Sequence, residues 1–389
     1  MRYQLTEEEY RQILEIKRDL HRHPELSLKE YRTTGVIRSF LKKLPGMELS
    51  GPGTETGVLA RIHGNGEGPE VMLRADIDAL PQTEKYESPW KSENPGVMHA
   101  CGHDFHTASL LGAALLLQRA KDAGELRGMA DLLFQPAEEG TNGAKMIIDS
   151  GFFDRIHPDV CFGMHNWPSV TTGTVVCHEG ALMSGKRNFE IWILGAGGHG
   201  SMPHLNKDAI VCAAAVVQSL QTVVSRNTNP LDSVILSINR IEGGSNANIV
   251  ADRVVLKGTV RSLSDRALDR AIERIEGIVS HTAEAYECGS RIDWGYRIPA
   301  VRNSPEMTGI AKQIAEGTGY PVEDASPSLA SEDFARYQEY VPSFFYWVGS
   351  TAAGDTPEDL HRPNFHTDDR ALRTAAELYA ASVLNYPRR

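Results

Sequence analysis

The chain has 389 residues, 41% hydrophobic and 23% charged, a composition ordinary for a globular protein but a length too great for one small core. Two domains, or one domain with a large insertion, are expected. A net charge of −11 without a basic run argues against nucleic-acid partners, and no apolar stretch approaches the roughly 20 residues a membrane helix needs.

The N-terminal residues, Met1 to Arg22, are polar and lack the apolar core of a signal peptide. Thr6-Glu7-Glu8-Glu9 is a capping box that opens a first helix, whose stripe of Leu14, Ile16 and Leu20 runs toward Pro24. A second helical stretch covers about 30–43. Two strands, 57–62 and 71–77, flank the turn-rich Gly64-Asn65-Gly66-Glu67-Gly68-Pro69. The second strand ends in Asp76-Ile77-Asp78. Two acids there are costly unless paired or bound, and one of them suits orienting a metal-binding histidine.

His99-Ala100-Cys101-Gly102-His103-Asp104 follows. A thiolate and an imidazole two residues apart, among polar neighbours, are strong ligands for zinc-like ions. A competing reading makes Cys101 a nucleophile activated by a histidine, but the spacing is awkward and later acids would lack a role. A helix over 105–120 leads to strand 129–134, which ends at Glu138-Glu139-Gly140. Adjacent carboxylates at a strand end can divide labour, one binding a metal and the other taking a proton from water. Helix 142–149 and strand 160–164 then deliver His165. Alternating strands and helices predict an α/β domain with a mainly parallel sheet, whose ligands gather at the carboxyl ends of the strands.

The texture changes over 184–294. Strand 189–194, helix 208–225, strands 233–241 and 253–261, helix 265–286 and strand 291–296 give the order βαββαβ of a ferredoxin-like α+β unit. The expected organisation is a catalytic domain in two parts, 1–183 and 295–389, interrupted by a lid domain at 184–294. Five cysteines, at 101, 161, 177, 212 and 288, form no CxxC pair and predict reduced thiols and a cytoplasmic protein.

The ordered motifs are similar to those of the dinuclear-metal amidohydrolases of the aminoacylase and carboxypeptidase superfamily. They most resemble the branch of hippurate hydrolases and auxin-conjugate hydrolases. They are His21-Arg-His-Pro-Glu25, Arg74-Ala-Asp-Ile-Asp-Ala-Leu-Pro81, Met98-His-Ala-Cys-Gly-His-Asp104, Phe134-Gln-Pro-Ala-Glu-Glu-Gly140, Gly197-Gly-His199, Gly200-Ser-Met-Pro-His204, Ser331-Glu-Asp-Phe334 and Leu360-His361.

The resemblance implies that Cys101, His103, Glu139, His165 and His361 hold two divalent ions (Zn, Mn, Co or Ni), with Cys101 as the bridge. It makes Glu138 the general base and Asp78 its supporting acid. It makes His199 an oxyanion stabiliser that a partner subunit's lid can present. Asn248 and Arg261 would contact the substrate, although Gly243-Gly-Ser-Asn246-Ala-Asn248 leaves Asn246 as an alternative. Hydrolysis of N-acyl amino acids or related small conjugates, by a homodimer or higher homo-oligomer joined through the lid domain, is implied. A dipeptidase or carboxypeptidase on the same centre is the alternative enzyme, and a non-catalytic binding protein of the same fold is the alternative class.

Overall fold

The computed structural model describes residues 3–387. The chain divides into two compact units. One comprises Met1–Gly180, Arg302–Ser326 and Asp333–Arg389, the other Ala181–Val301 and Pro327–Glu332.

The first unit opens as its sequence directs. Helix α1 (Glu7–Arg22) starts at Thr6, whose hydroxyl accepts from the Glu9 N–H while the Glu9 carboxylate accepts from the Thr6 N–H. Helix α2 (Tyr31–Leu41) follows, then strands β1 (Met47–Ser50), β2 (Val58–His63) and β3 (Glu70–Asp76). Helix α3 (His103–Asp122) leads to strand β4 (Met129–Gln135), the short helices α4 (Glu138–Thr141) and α5 (Gly143–Asp149), and strand β5 (Val160–Thr171). Glu138 and Glu139 thus sit in the first turn of a one-turn helix rather than in a loop.

The eight-stranded sheet runs β1-β2-β4-β3-β5, then Ser343–Thr351, Val175–Val176 and Val322–Glu323. Its centre is parallel from β4 through β3 and β5 to Ser343–Thr351. β1–β2, β2–β4 and the pairing of Val175–Val176 with Ser343–Thr351 are antiparallel. The sheet is therefore mixed, with parallel pairings in the majority, as expected, and antiparallel ones toward its edges. The loop 51–57 is too short for the crossover that a parallel β1–β2 pair would need. Near-continuous burial of β3, β4 and Ser343–Thr351 reflects a sheet covered on both faces. Leu73, Leu132, Phe162 and Tyr346 share one apolar core with Phe105, Leu110 and Leu117 of α3.

The second unit carries an antiparallel four-stranded sheet in the order Val234–Gly243, Arg253–Ser262, Gly185–Leu194 and Gly289–Ile298. Helices Ala209–Asn227 and Asp265–Ala285 complete its core, with Val216, Leu220, Ile275 and Val279 buried among Phe189, Ile191 and Leu256. By length and composition alone Ala209–Asn227 could cross a membrane, where the sequence reading expects no such stretch. Its buried face, however, packs into this core, while Ile210, Val211 and Val224 are exposed.

Candidate metal centre

The junction between the loop after β3 and helix α3 sets the first ligands. Gly102 has φ +88°, and a Cβ there would lie 2.2 Å from Asn166 Oδ1. Only glycine fits this left-handed, crowded position, and the turn brings Cys101 and His103 toward one point. His103 Nδ1 lies 3.2 Å from Asp78 Oδ1. Asp78 also accepts from Ser27 Oγ (2.6 Å) and from the N–H groups of Glu138 (3.1 Å) and Glu139 (3.0 Å). Burial opposes its charge, but the bonds from His103 and Ser27 outweigh that and hold the carboxyl below its usual range. An ionised Asp78 on Nδ1 leaves His103 Nε2 to face the cluster, the arrangement that orients metal-binding histidines.

Two further histidines converge on the same sulfur. His165 Nδ1 donates to the Asn166 carbonyl (2.6 Å), and its Nε2 lies 3.4 Å from Cys101 Sγ. His361 is held with φ +63° by its N–H bond to the Ala100 carbonyl (2.8 Å). Its Nε2 lies 3.3 Å from Cys101 Sγ and 3.0 Å from Glu139 Oε1.

Cys101, His103 and His165 form one group, and Cys101, Glu139 and His361 form a second, with ligand atoms in each within 4.8 Å of one another. Cys101 belongs to both. A tetrahedral ion with bonds of about 2.0–2.3 Å spaces its ligands roughly 3.3–3.8 Å apart, close to the separations around the sulfur. Two members of these groups, His103 Nε2 and Glu139 Oε1, are buried without a hydrogen bond, although the His361 ring nitrogen stands 3.0 Å from the latter. Such orphans are costly unless something occupies the space between them.

The charges agree. Burial opposes a proton on His103, but Asp76 and Asp78 outweigh it and push its pKa well up; the same negative field favours a metal cation at Nε2. Burial, followed by His106, holds His165 well below the usual imidazole value, so its Nε2 lone pair is available. Burial, reinforced by Glu139, pushes the Cys101 thiol well up. A free thiolate nucleophile is disfavoured there, whereas a cation displaces the proton on binding. The donor set fits two divalent cations.

The supporting residues were only partly legible. Asp76 Oδ1 accepts a hydrogen bond from His106 Nδ1 (2.5 Å), and His106 Nε2 accepts the Asn166 N–H (3.0 Å). With both nitrogens engaged, His106 braces Asp76 and Asn166 beside the cluster, and with Asp76 and His103 it forms a further group of possible ligands. Its i, i+3 spacing from His103 on one helix face was the available signal. Glu138 is buried, shares a group with His103 and Glu139, and its Oε1 accepts the Asp333 N–H at 3.2 Å. His366 stands apart, stacked on Tyr86.

The second unit places His199 and Asn248 side by side. His199 pairs with Ile249 across a two-stranded ribbon, and the Gly200 N–H donates to the Asn248 carbonyl (2.8 Å). Both side chains are exposed. His199 Nδ1 accepts the Ser201 N–H (3.1 Å) and lies 2.8 Å from the Ser201 hydroxyl. Arg261 lies on strand Arg253–Ser262, and its Nη1 donates to the Leu329 carbonyl (2.9 Å).

The model of Peptidase family M20/M25/M40 matches residues 72–385. An N-acetyl-L-cysteine deacetylase of Bacillus subtilis (strain 168) is 41% identical over 366 residues, spanning 94% of this chain and 86% of that protein. An N-acetyldiaminopimelate deacetylase of Anoxybacillus flavithermus is 35% identical, spanning 95% and 96%. Among solved structures, a dinuclear metal binding peptidase from the M20 family, of Bacillus subtilis, superposes with a TM-score of 0.83 at 35% identity. That match covers 97% of this chain and 98% of the other.

Proposed function

Because this chain belongs to Peptidase family M20/M25/M40 and is a metal-dependent amidohydrolase, we propose that it removes small acyl groups from N-acyl amino acids. The observation that carries this reading is the pair of ligand groups joined at Cys101, with the Glu138 carboxylate beside them. Deacetylase relatives at 35–41% identity over most of the chain support it.

Cys101, His103, Glu139, His165 and His361 would hold the divalent cations, which would supply Lewis acidity toward water and an amide carbonyl. Glu138 takes the proton of the attacking water and hands it to the leaving amine. Asp78 keeps His103 oriented and, through the N–H groups of Glu138 and Glu139, anchors the turn that presents both acids. His199 is suited to donate to a developing oxyanion. Arg261 is suited to the substrate carboxylate, and Asn248, adjacent to His199, is the preferred lid contact over Asn246. The second unit serves as a lid and as the contact of a homodimer, for which the exposed Ile210, Val211 and Val224 supply apolar surface.

The test is hydrolysis of a panel containing N-acetyl-L-cysteine, N-acetyldiaminopimelate, hippurate and simple dipeptides. Expected is chelator-sensitive release of the amino acid, restored by Mn²⁺, Co²⁺, Ni²⁺ or Zn²⁺. Turnover of dipeptides alone would reassign the chain as a peptidase. Activity that survives metal removal would return Cys101 to a nucleophile's role, and no turnover at all would favour a binding protein.

A further inference from the structure

Arg74 lies wholly buried on β3, and its guanidinium donates to three acceptors at once. Nε reaches Gln135 Oε1 (2.8 Å), Nη1 reaches Asp76 Oδ2 (2.8 Å) and Nη2 reaches Asp333 Oδ1 (2.7 Å). Each carboxylate leads to a different part of the site. Asp76 Oδ2 lies 3.7 Å from His103 Nε2, and Asp76 Oδ1 holds His106. Asp333 presents its main-chain N–H to Glu138 Oε1.

The Asp333 carboxylate is itself tightly held. Gln135 Nε2 donates to both of its oxygens (2.9 Å each), and the Ala144 N–H donates to Oδ2 (2.9 Å). Gln135 is fixed in turn by Tyr337, whose hydroxyl donates to Gln135 Oε1 at 3.0 Å. A single carboxylate would balance one buried cation. The planar guanidinium here reaches two carboxylates and an amide at once, which a lysine cannot reproduce.

We propose that Arg74 is a positioning residue for amide hydrolysis, setting Glu138 through Asp333 in register with the ligand His103 through Asp76. The proposal rests on the reading of Glu138 as the general base. It also assigns a task to Asp333 in the Ser331-Glu-Asp-Phe334 segment, for which the sequence alone supplied none.

Arg74→Lys in the full-length protein tests this, since it keeps the charge and removes the fork. With saturating Mn²⁺, kcat on N-acetyl-L-cysteine or hippurate, whichever turns over faster, should fall about 10–100-fold, the range for residues that orient ligands. KM should stay within about twofold, because the substrate contacts are untouched. Calorimetric titration of the metal-free variant with Mn²⁺ should still reach two ions per chain. In a Glu138→Gln background the same change should cost less than about twofold, because its route runs through Glu138. Asp333→Asn, which retains the main-chain N–H, should reproduce the loss of kcat at constant KM and serves if Arg74→Lys does not fold.

Equal fractional losses in the two backgrounds, or full recovery of kcat by excess Mn²⁺, would overturn the proposal and leave Arg74 a purely structural or metal-retaining role. If Glu138→Gln alone leaves kcat unchanged, the base assignment falls and takes this proposal with it. That outcome is distinct from additivity, which removes the proposal alone.

Discussion

Cys101 stands among imidazoles with its sulfur 3.4 Å from His165 and 3.3 Å from His361, so its removal should strike both ligand groups. Cys101→Ala is expected to lower bound metal from two ions per chain to one or none, read by elemental analysis of the purified protein. Glu138→Gln should instead retain full metal while hydrolysis falls about 10²–10⁴-fold, the usual worth of general-base catalysis. Steady-state kinetics beside metal analysis separates the two roles. His21 carries a different kind of prediction. Its Nδ1 lies 2.9 Å from Asp104 and its Nε2 3.2 Å from Glu84, so both nitrogens are placed to donate. Burial opposes that charge, but Asp104 and Glu84 outweigh it and raise the pKa from 6.5 to about 9. A value raised by folding means the stabilisation is complete below about pH 6.5 and is lost as pH rises through about 9. It is worth on the order of 3 kcal/mol at full strength. The thermal midpoint should drop between pH 7 and 9.5, and His21→Gln should be less stable at pH 6 and show a shallower decline. Equal slopes for the two proteins would refute this. At this scale the residue types with strong intrinsic chemistry were legible. Ser27 and Asn166 were not, because a hydroxyl or an amide acquires its task only from what folds against it.

Elements were legible where one pattern dominates. The capping box announced α1, and the long apolar runs announced β3, β4 and β5. Their pairing was less so. Direction depends on which strands the connections allow to become neighbours, and β2 joins β4 antiparallel while β3 joins β4 parallel. The start of α3 is where an element decides chemistry, because Gly102 combines φ +88° with close contact to Asn166. Gly102→Ala should cost at least about 1 kcal/mol from the left-handed backbone, with the clash added. It should also reduce metal content, since Cys101 and His103 flank it. Denaturant unfolding with metal analysis checks both effects, and full metal content at wild-type stability would show that the junction tolerates a side chain.

At the scale of the whole molecule, each of the two units has its own apolar core. The apolar residues that helix Ala209–Asn227 leaves exposed should bury against a second copy. Light scattering is expected to give a dimer, and Val211→Asp should shift it to monomer. Retention of the dimer would place the contact elsewhere. The local sequence alone determined the residue types available as ligands, the Glu138-Glu139 pair and the βαββαβ order of the middle segment, because these depend on side-chain chemistry and on periodicity within a few residues. Tertiary structure decided that Cys101 sits in two candidate ligand groups at once, that His106 is hydrogen-bonded through both ring nitrogens, and that Arg74 and Asp333 stand behind Glu138. Those facts depend on contacts between segments as far apart as Cys101 and His361. Separations of a few tenths of an ångström there follow from how the sheet and helices pack, which no local pattern encodes.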